Sequence, residues 1–293
     1  MNAVLRKMIP YEKRQALVGY LFLLPWLVGL CAFVLYPLGY SFFMSFHKVR
    51  ITSDGLGMKP VGWDNYKYAF LQDNQFVLMF AAVLKETLMY IPIITVFALF
   101  VAVLLNFRFP GRMLFRAVFF LPVIFATGQV LTEIFNQGAG GLDILVKYDV
   151  ASFIQYNLPK FWAEPLLNVL RAFVLILWYS GVQIIIFIAG LQTIGRTVYE
   201  AATIDGASPW ETFWKITLPA ISPFIVLNML YTIVDLFTFP FNPIVSWISW
   251  NMTNSGTGYG YASALGWIYF TAVFLLILVV LGVTKKFVFT RER

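Results

Sequence analysis

The chain has 293 residues, 60% of them hydrophobic and 12% charged, with a mean hydropathy of +0.78. A soluble domain carries about 25% charged residues, so this composition excludes an ordinary water-soluble fold and makes the bilayer the natural solvent. The net charge of +7 sits at the ends of apolar runs, which is a signal of membrane orientation and argues against a nucleic-acid-binding surface.

The apolar runs predict six membrane-spanning helices in an all-α fold. Ala16 to Phe46 contains no charged residue. It is too long for a secretory signal core and no small-residue cleavage site follows, so it reads as a retained first span, with Pro25 and Pro37 expected to kink or end it. The second span runs from near Phe76 to Phe107, the third from Met113 to Phe135, and the fourth from Leu167 to Leu191. The fifth is expected from Leu218-Pro219 to about Phe239, and the sixth from Ala262 to Thr284.

Positive residues set the orientation. Arg6, Lys7, Lys13 and Arg14 lie in the amino-terminal segment 1–15, Arg108, Arg112 and Arg116 follow the second span, and Lys285, Lys286, Arg291 and Arg293 form the tail. These segments are expected in the cytoplasm, with both termini inside. The loop after the first span balances its basic residues with Asp54, Asp64 and Asp73, the loop after the third sets Lys147 and Lys160 against Asp143, Asp149 and Glu164, and residues 240–262 carry no charge, so all three are expected outside.

Little supports enzyme chemistry. The single cysteine, Cys31, lies inside an apolar run and reads as a small buried hydrophobe. The single histidine, His47, has no cluster of Cys or carboxylates beside it in sequence. No G-x4-GK[ST] phosphate loop occurs. The chain is therefore expected to hydrolyse no ATP and to hold no cofactor or metal.

One polar stretch, residues 197–219, interrupts the apolar pattern on the expected cytoplasmic side. Thr197 to Asp205 has a helical pattern, and Gly206 suits the left-handed residue that stops a helix. Ser208 then starts a second helix, with Pro209 in its first turn and Glu211 completing a capping box. Glu200-Ala201-Ala202, three residues, Gly206, nine residues and then Ile216-Thr217-Leu218-Pro219 form EAA-x3-G-x9-I-x-LP. This resembles the coupling loop of the permease subunits of binding-protein-dependent ABC importers. GYLFLLPWLVG (19–29), VGWDNYKYAF (61–70), FRAVFFLPVI (115–124), IAGLQTI (188–194) and GYASALGWIYF (260–270) resemble the branch that includes the maltose and glycerol-phosphate permeases. Two departures stand out: FTFPFNPIVSWISW (237–250) replaces a Thr-Gly-Gly-Pro turn, and Glu86-Thr87 replaces Asn-Thr.

The resemblance implies a type I importer permease fold over one transmembrane domain, with its core at 76–290, in a bacterial or archaeal plasma membrane. It implies a sister permease in a heterodimer, two ATPase subunits that bind ATP and Mg, and an extracytoplasmic solute-binding protein. Glu200, Ala201, Ala202, Asp205 and Gly206 would then meet an ATPase. The solute would be a carbohydrate, most simply an oligosaccharide; glycerol phosphate is the alternative, and an ion-coupled secondary transporter would leave 200–219 without a role.

Intramembrane polar residues are candidates for the solute path. Asn228, Tyr231, Thr232 and Asp235 share one helix face by their spacing, and the resemblance to the maltose permease places sugar contacts on the same stretch. Trp178 and Tyr179 occupy the matching part of the fourth span, where either ring could stack on a sugar's apolar face; the alternative is packing against lipid or at a helix interface. Gln183 joins them as a buried polar group. The alternative for the fifth-span set is hydrogen bonding between helices.

Overall fold

The computed structural model describes residues 11–52, 55–107, 109–124, 150–171 and 173–288. In chain order, α1 (Tyr11–Leu30) passes through a π-helical turn, Cys31–Leu35, into α2 (Tyr36–Ser45). A hairpin of β1 (His47–Thr52) and β2 (Gly55–Pro60) precedes α3 (Asp64–Leu71) and α4 (Asn74–Asn106). Next come α5 (Arg112–Ile124), α6 (Val150–Asn157), α7 (Lys160–Arg171) and α8 (Phe173–Gln192). The polar stretch holds α9 (Arg196–Ile204), α10 (Pro209–Thr212), a second π turn at Phe213–Thr217, and α11 (Leu218–Ala220). The chain continues with α12 (Ser222–Phe237), α13 (Pro243–Thr253) and α14 (Gly258–Val288).

Neither proline ends the first run. Pro37 has no N–H to give the helical ladder, and the π turn lies just before it, where the Tyr36 N–H reaches back five residues to the Cys31 carbonyl. The second and sixth spans appear as α4 and α14, each longer than the ~20 residues a bilayer requires. The third is described only as α5; the remainder of that expected span, to Phe135, lies outside the described residues. Among the described residues, three helical stretches are long and apolar enough to cross a membrane, and counting each of two bent helix pairs as one span makes five.

The fifth span begins at Ser222 rather than at Leu218-Pro219, and ends at Phe237 rather than Phe239. A break at Ile221 sets the helix of 209–220 at 63° to α12. The cause is Pro223, which has no N–H for the Pro219 carbonyl four residues back. The Ser222 hydroxyl donates to that carbonyl instead, at 2.9 Å.

The chain divides into two compact units, Met1–Val77 with Ser246–Phe270, and Leu78–Val245 with Thr271–Arg293. In the first, β1 and β2 pair antiparallel from His47 opposite Pro60 to Thr52 opposite Gly55. This hairpin adds a small sheet to the expected helical plan. The start of α14 lies against its backbone: a Cβ on Gly260 would fall 1.8 Å from the His47 oxygen, and one on Gly258 would fall 2.3 Å from that of Val49. The Asn65 amide donates to the carbonyls of Ser45 and His47, tying α2, β1 and α3 together. Phe46 packs edge-on against Trp63, and Phe42 against Trp267.

In the second unit α8 packs against α5 and α12. Its core joins Ala98, Val101, Ala102 and Leu105 of α4 to Ile184, Phe187, Ile188 and Leu191 of α8, with Ile221 at the base of α12. Close approach depends on Gly190, where a Cβ would lie 2.6 Å from the Phe224 ring.

Candidate functional site

The polar stretch folds as an elbow. α9 ends on Asp205, Gly206 takes φ +76°, and two hydrogen bonds close the end: the Gly206 N–H to Thr203 O at 3.1 Å and the Ala207 N–H to Ala202 O at 2.9 Å. This is a Schellman closure, which requires a residue comfortable at positive φ. α10 opens on the expected capping box. The Glu211 N–H donates to Ser208 Oγ at 3.3 Å, and the Ser208 N–H donates to Glu211 Oε2 at 3.0 Å. Those bonds, with the Ser208 N–H first, then the Ser208 hydroxyl and Lys215, hold the Glu211 carboxyl below its ordinary pKa.

Both ends of the elbow meet apolar helices at sharp angles. α9 stands at 65° to the helix of 176–192, and the 209–220 helix at 63° to α12. The Tyr199 hydroxyl shares a 3.2 Å hydrogen bond with that of Thr217, clipping α9 to the far arm. A pocket of about 250 Å³ opens beside the corner, lined by Asp205, Gly206, Glu211, Thr212, Lys215 and Ile216 among others.

The structure sorts the expected coupling residues. Glu200, Ala201, Asp205 and Gly206 are exposed. Ala202 is buried within the chain's own packing. Glu200 already pairs with Arg196 at 2.9 Å across one helical turn. Both groups are exposed and such pairs contribute little, so the carboxylate remains available to another cation. The i,i+4 spacing of Arg196 and Glu200 was a readable signal for this pair, while the Tyr199–Thr217 clip depends on how the chain folds back.

A second polar group lies inside the second unit, between α8 and α12. Gln183, Asn228 and Thr232 are all fully buried. Gln183 Nε2 donates to Thr232 Oγ1 at 3.2 Å, and Asp235 lies half-buried further along α12. Among the described residues, Gln183 Oε1 and both polar atoms of the Asn228 amide have no hydrogen-bond partner. The expected face of α12 is thus split: Asn228 and Thr232 turn inward, whereas Tyr231 is exposed. On α8, Trp178 is half-buried. Tyr179 is buried against the Phe239 ring, with centroids 5.3 Å apart, and so presents no open face for stacking. Among the described residues, no group of three or more His, Cys, Asp or Glu is placed to hold a metal.

Comparison with known proteins extends this picture. Over residues 69–290 the sequence matches the family described as "binding-protein-dependent transport system inner membrane component". It is 30% identical over 294 residues to the probable ABC transporter permease protein YesP of Bacillus subtilis (strain 168), covering 94% of this chain and 93% of the relative. The multiple sugar-binding transport system permease protein MsmF of Streptococcus mutans is 27% identical, with 92% and 96% covered. The trehalose/maltose transport system permease protein MalF of Thermococcus litoralis is 28% identical, with 76% and 74% covered. A chain in the crystal structure of a bacterial alginate ABC transporter, in complex with alginate pentasaccharide-bound periplasmic protein, superposes with a TM-score of 0.66. That match covers 95% of this chain and 98% of the other, and at 17% identity it speaks for a shared fold alone. These relatives are permease proteins rather than enzymes, and the family match takes in the elbow, the buried amide group and most of the helices. The chain belongs to the binding-protein-dependent transport system inner membrane components, the permeases of ABC transporters.

Proposed function

We propose that the chain passes a carbohydrate, an oligosaccharide, from an extracytoplasmic binding protein to the cytoplasm, in an importer driven by separate ATPase subunits. It spans a bacterial or archaeal plasma membrane six times with both termini inside, and pairs with a sister permease. ATP and Mg are held by the ATPase partners, and this chain contributes the lever and part of the path.

The observation that carries this reading is the elbow at 196–220. Its corner is closed by the Gly206 turn and the Ser208–Glu211 box, and its arms join α8 across three residues, 193–195, and α12 across the break at Ile221. A motor that grips Glu200, Ala201, Asp205 and Gly206 moves both helices together. The Tyr199–Thr217 bond keeps the arms from scissoring.

Gln183, Asn228, Thr232 and Asp235 supply amide, hydroxyl and carboxylate groups of the kind that bind sugar hydroxyls. An unpartnered amide at Asn228 is costly within a bundle and is compensated when a hydroxyl-bearing solute reaches it. No Lys or Arg occurs between Phe173 and Gln192 or between Ser222 and Phe237, which favours a neutral solute over an anionic one. The sugar transport systems to which two of the relatives belong support the same substrate class.

The test is made in proteoliposomes holding the whole importer and its binding protein. Glu200→Ala combined with Gly206→Val is expected to lower solute-dependent ATP hydrolysis and uptake at least tenfold while the helix bundle stays folded. Unchanged uptake of an oligosaccharide that the binding protein retains would remove the elbow from the coupling path.

A further inference from the structure

The first unit contains a pocket of about 750 Å³, a size typical of small-ligand sites. Its lining includes Trp247 and Trp250, whose rings stack with centroids 4.9 Å apart at 13°. Asp73 fixes this platform. Its Oδ2 accepts from the Trp247 indole N–H at 3.1 Å and from the Tyr261 hydroxyl at 2.6 Å, while Oδ1 caps α4 by accepting the Phe76 N–H at 2.9 Å. Trp247 is thus held by its edge, and Trp250 remains half exposed. At the same rim, Gln72, Asn74 and Gln75 are exposed and carry no side-chain hydrogen bond among the described residues.

A flat indole pair beside uncommitted amides matches a pyranose or furanose ring: the C–H face lies on the aromatic surface and the hydroxyl rim meets amide donors and acceptors. A phosphate or lipid headgroup would need a basic cluster. Among the described residues of the lining Lys48 is the one basic group, and Asp64 and Asp73 offset it. The segment carrying both tryptophans, 240–262, has no charged residue.

We propose that this pocket is a saccharide-contact site separate from the Asn228–Asp235 group, taking a short neutral stretch of an oligosaccharide outside the membrane core. The orientation rests on the proposed importer reading; the chemistry of the pocket stands on its own lining. Asp73 is a positioning residue that aims Trp247, and Trp250 supplies the open contact.

The assay is saturation-transfer NMR on the full importer complex in nanodiscs. The probe is a mixture of maltotetraose, xylotetraose, arabinotetraose and galactotetraose. In an Asp235→Ala background, which removes a contact of the core group, transfer to at least one series is expected, reduced roughly tenfold by adding Trp250→Ala and largely restored by Trp250→Phe in its place. The phenylalanine variant separates loss of stacking from loss of folding. Absence of transfer from every series, or equal transfer in Trp250→Ala, overturns the proposal. Transfer that is lost in Asp235→Ala but kept in Trp250→Ala overturns it while leaving the importer reading intact. Trp250-dependent transfer in a complex without coupled ATP hydrolysis keeps the pocket and rejects the importer reading.

Discussion

Asn228 is a buried amide with neither its oxygen nor its nitrogen engaged among the described residues. Leaving such a group unsatisfied costs about 1–3 kcal/mol, whereas an apolar side chain of similar size avoids that penalty. Stability and function therefore make opposite demands at this position. Asn228→Leu is expected to leave the thermal midpoint of the purified complex unchanged or raised, while oligosaccharide uptake falls about tenfold or more. A lower midpoint together with normal uptake would mark Asn228 as a structural residue. The neighbouring groups differ in kind: Thr232 already accepts a bond from Gln183, so its hydroxyl orients the amide as much as it offers itself to a solute. Tyr179, expected to stack on solute, is occupied by Phe239. Sequence marks a tyrosine as able to stack, but only packing decides against which ring.

At the scale of elements, the elbow is built from local chemistry and then locked by one tertiary bond. The Schellman closure and the capping box each join residues within a few positions, so their signature was legible in the order of residues alone. Glu211, with its carboxyl pKa depressed, keeps its capping contribution above the ordinary carboxylate range and loses it only as pH falls through the depressed value. The Tyr199–Thr217 bond spans 18 positions. Tyr199→Phe and Thr217→Val are each expected to raise the ATP hydrolysed per solute imported. The double variant should do no more than the stronger single one, since both remove the same bond, worth about 0.5–1.5 kcal/mol. Additive effects in that cycle would show that the two hydroxyls act separately. The break at Ile221 belongs to this scale too. It follows from Pro219 and Pro223 lying four residues apart, a spacing that was readable but gave no angle.

At the scale of the whole molecule, the distribution of Lys and Arg predicts which side of the membrane each segment faces. The chain has one cysteine, Cys31, so a Cys31→Ser background permits single-site labelling. Ile204→Cys, at a position 86% exposed, is expected to react with an impermeant maleimide only in inside-out vesicles. Asn254→Cys is expected to react only from outside. The reverse pattern would invert the orientation drawn from the distribution of Lys and Arg.

Composition alone determined that this chain belongs in a bilayer, because so little charge and so much apolar surface cannot be hidden in water at this length. The spacing of Glu200, Gly206, Ser208 and Glu211 determined the corner, because helix ends obey short-range rules of hydrogen bonding and φ. Tertiary structure decided what long separations control. It drew the hairpin at 47–60 against Gly258 and Gly260, where a side chain has no room. It turned Asn228 and Thr232 toward Gln183 while leaving Tyr231 outside. It also brought Asp73 to Trp247 and Tyr261 across more than 170 positions. Such pairings depend on which helix faces meet, and that is settled by packing of the folded chain rather than by any local pattern.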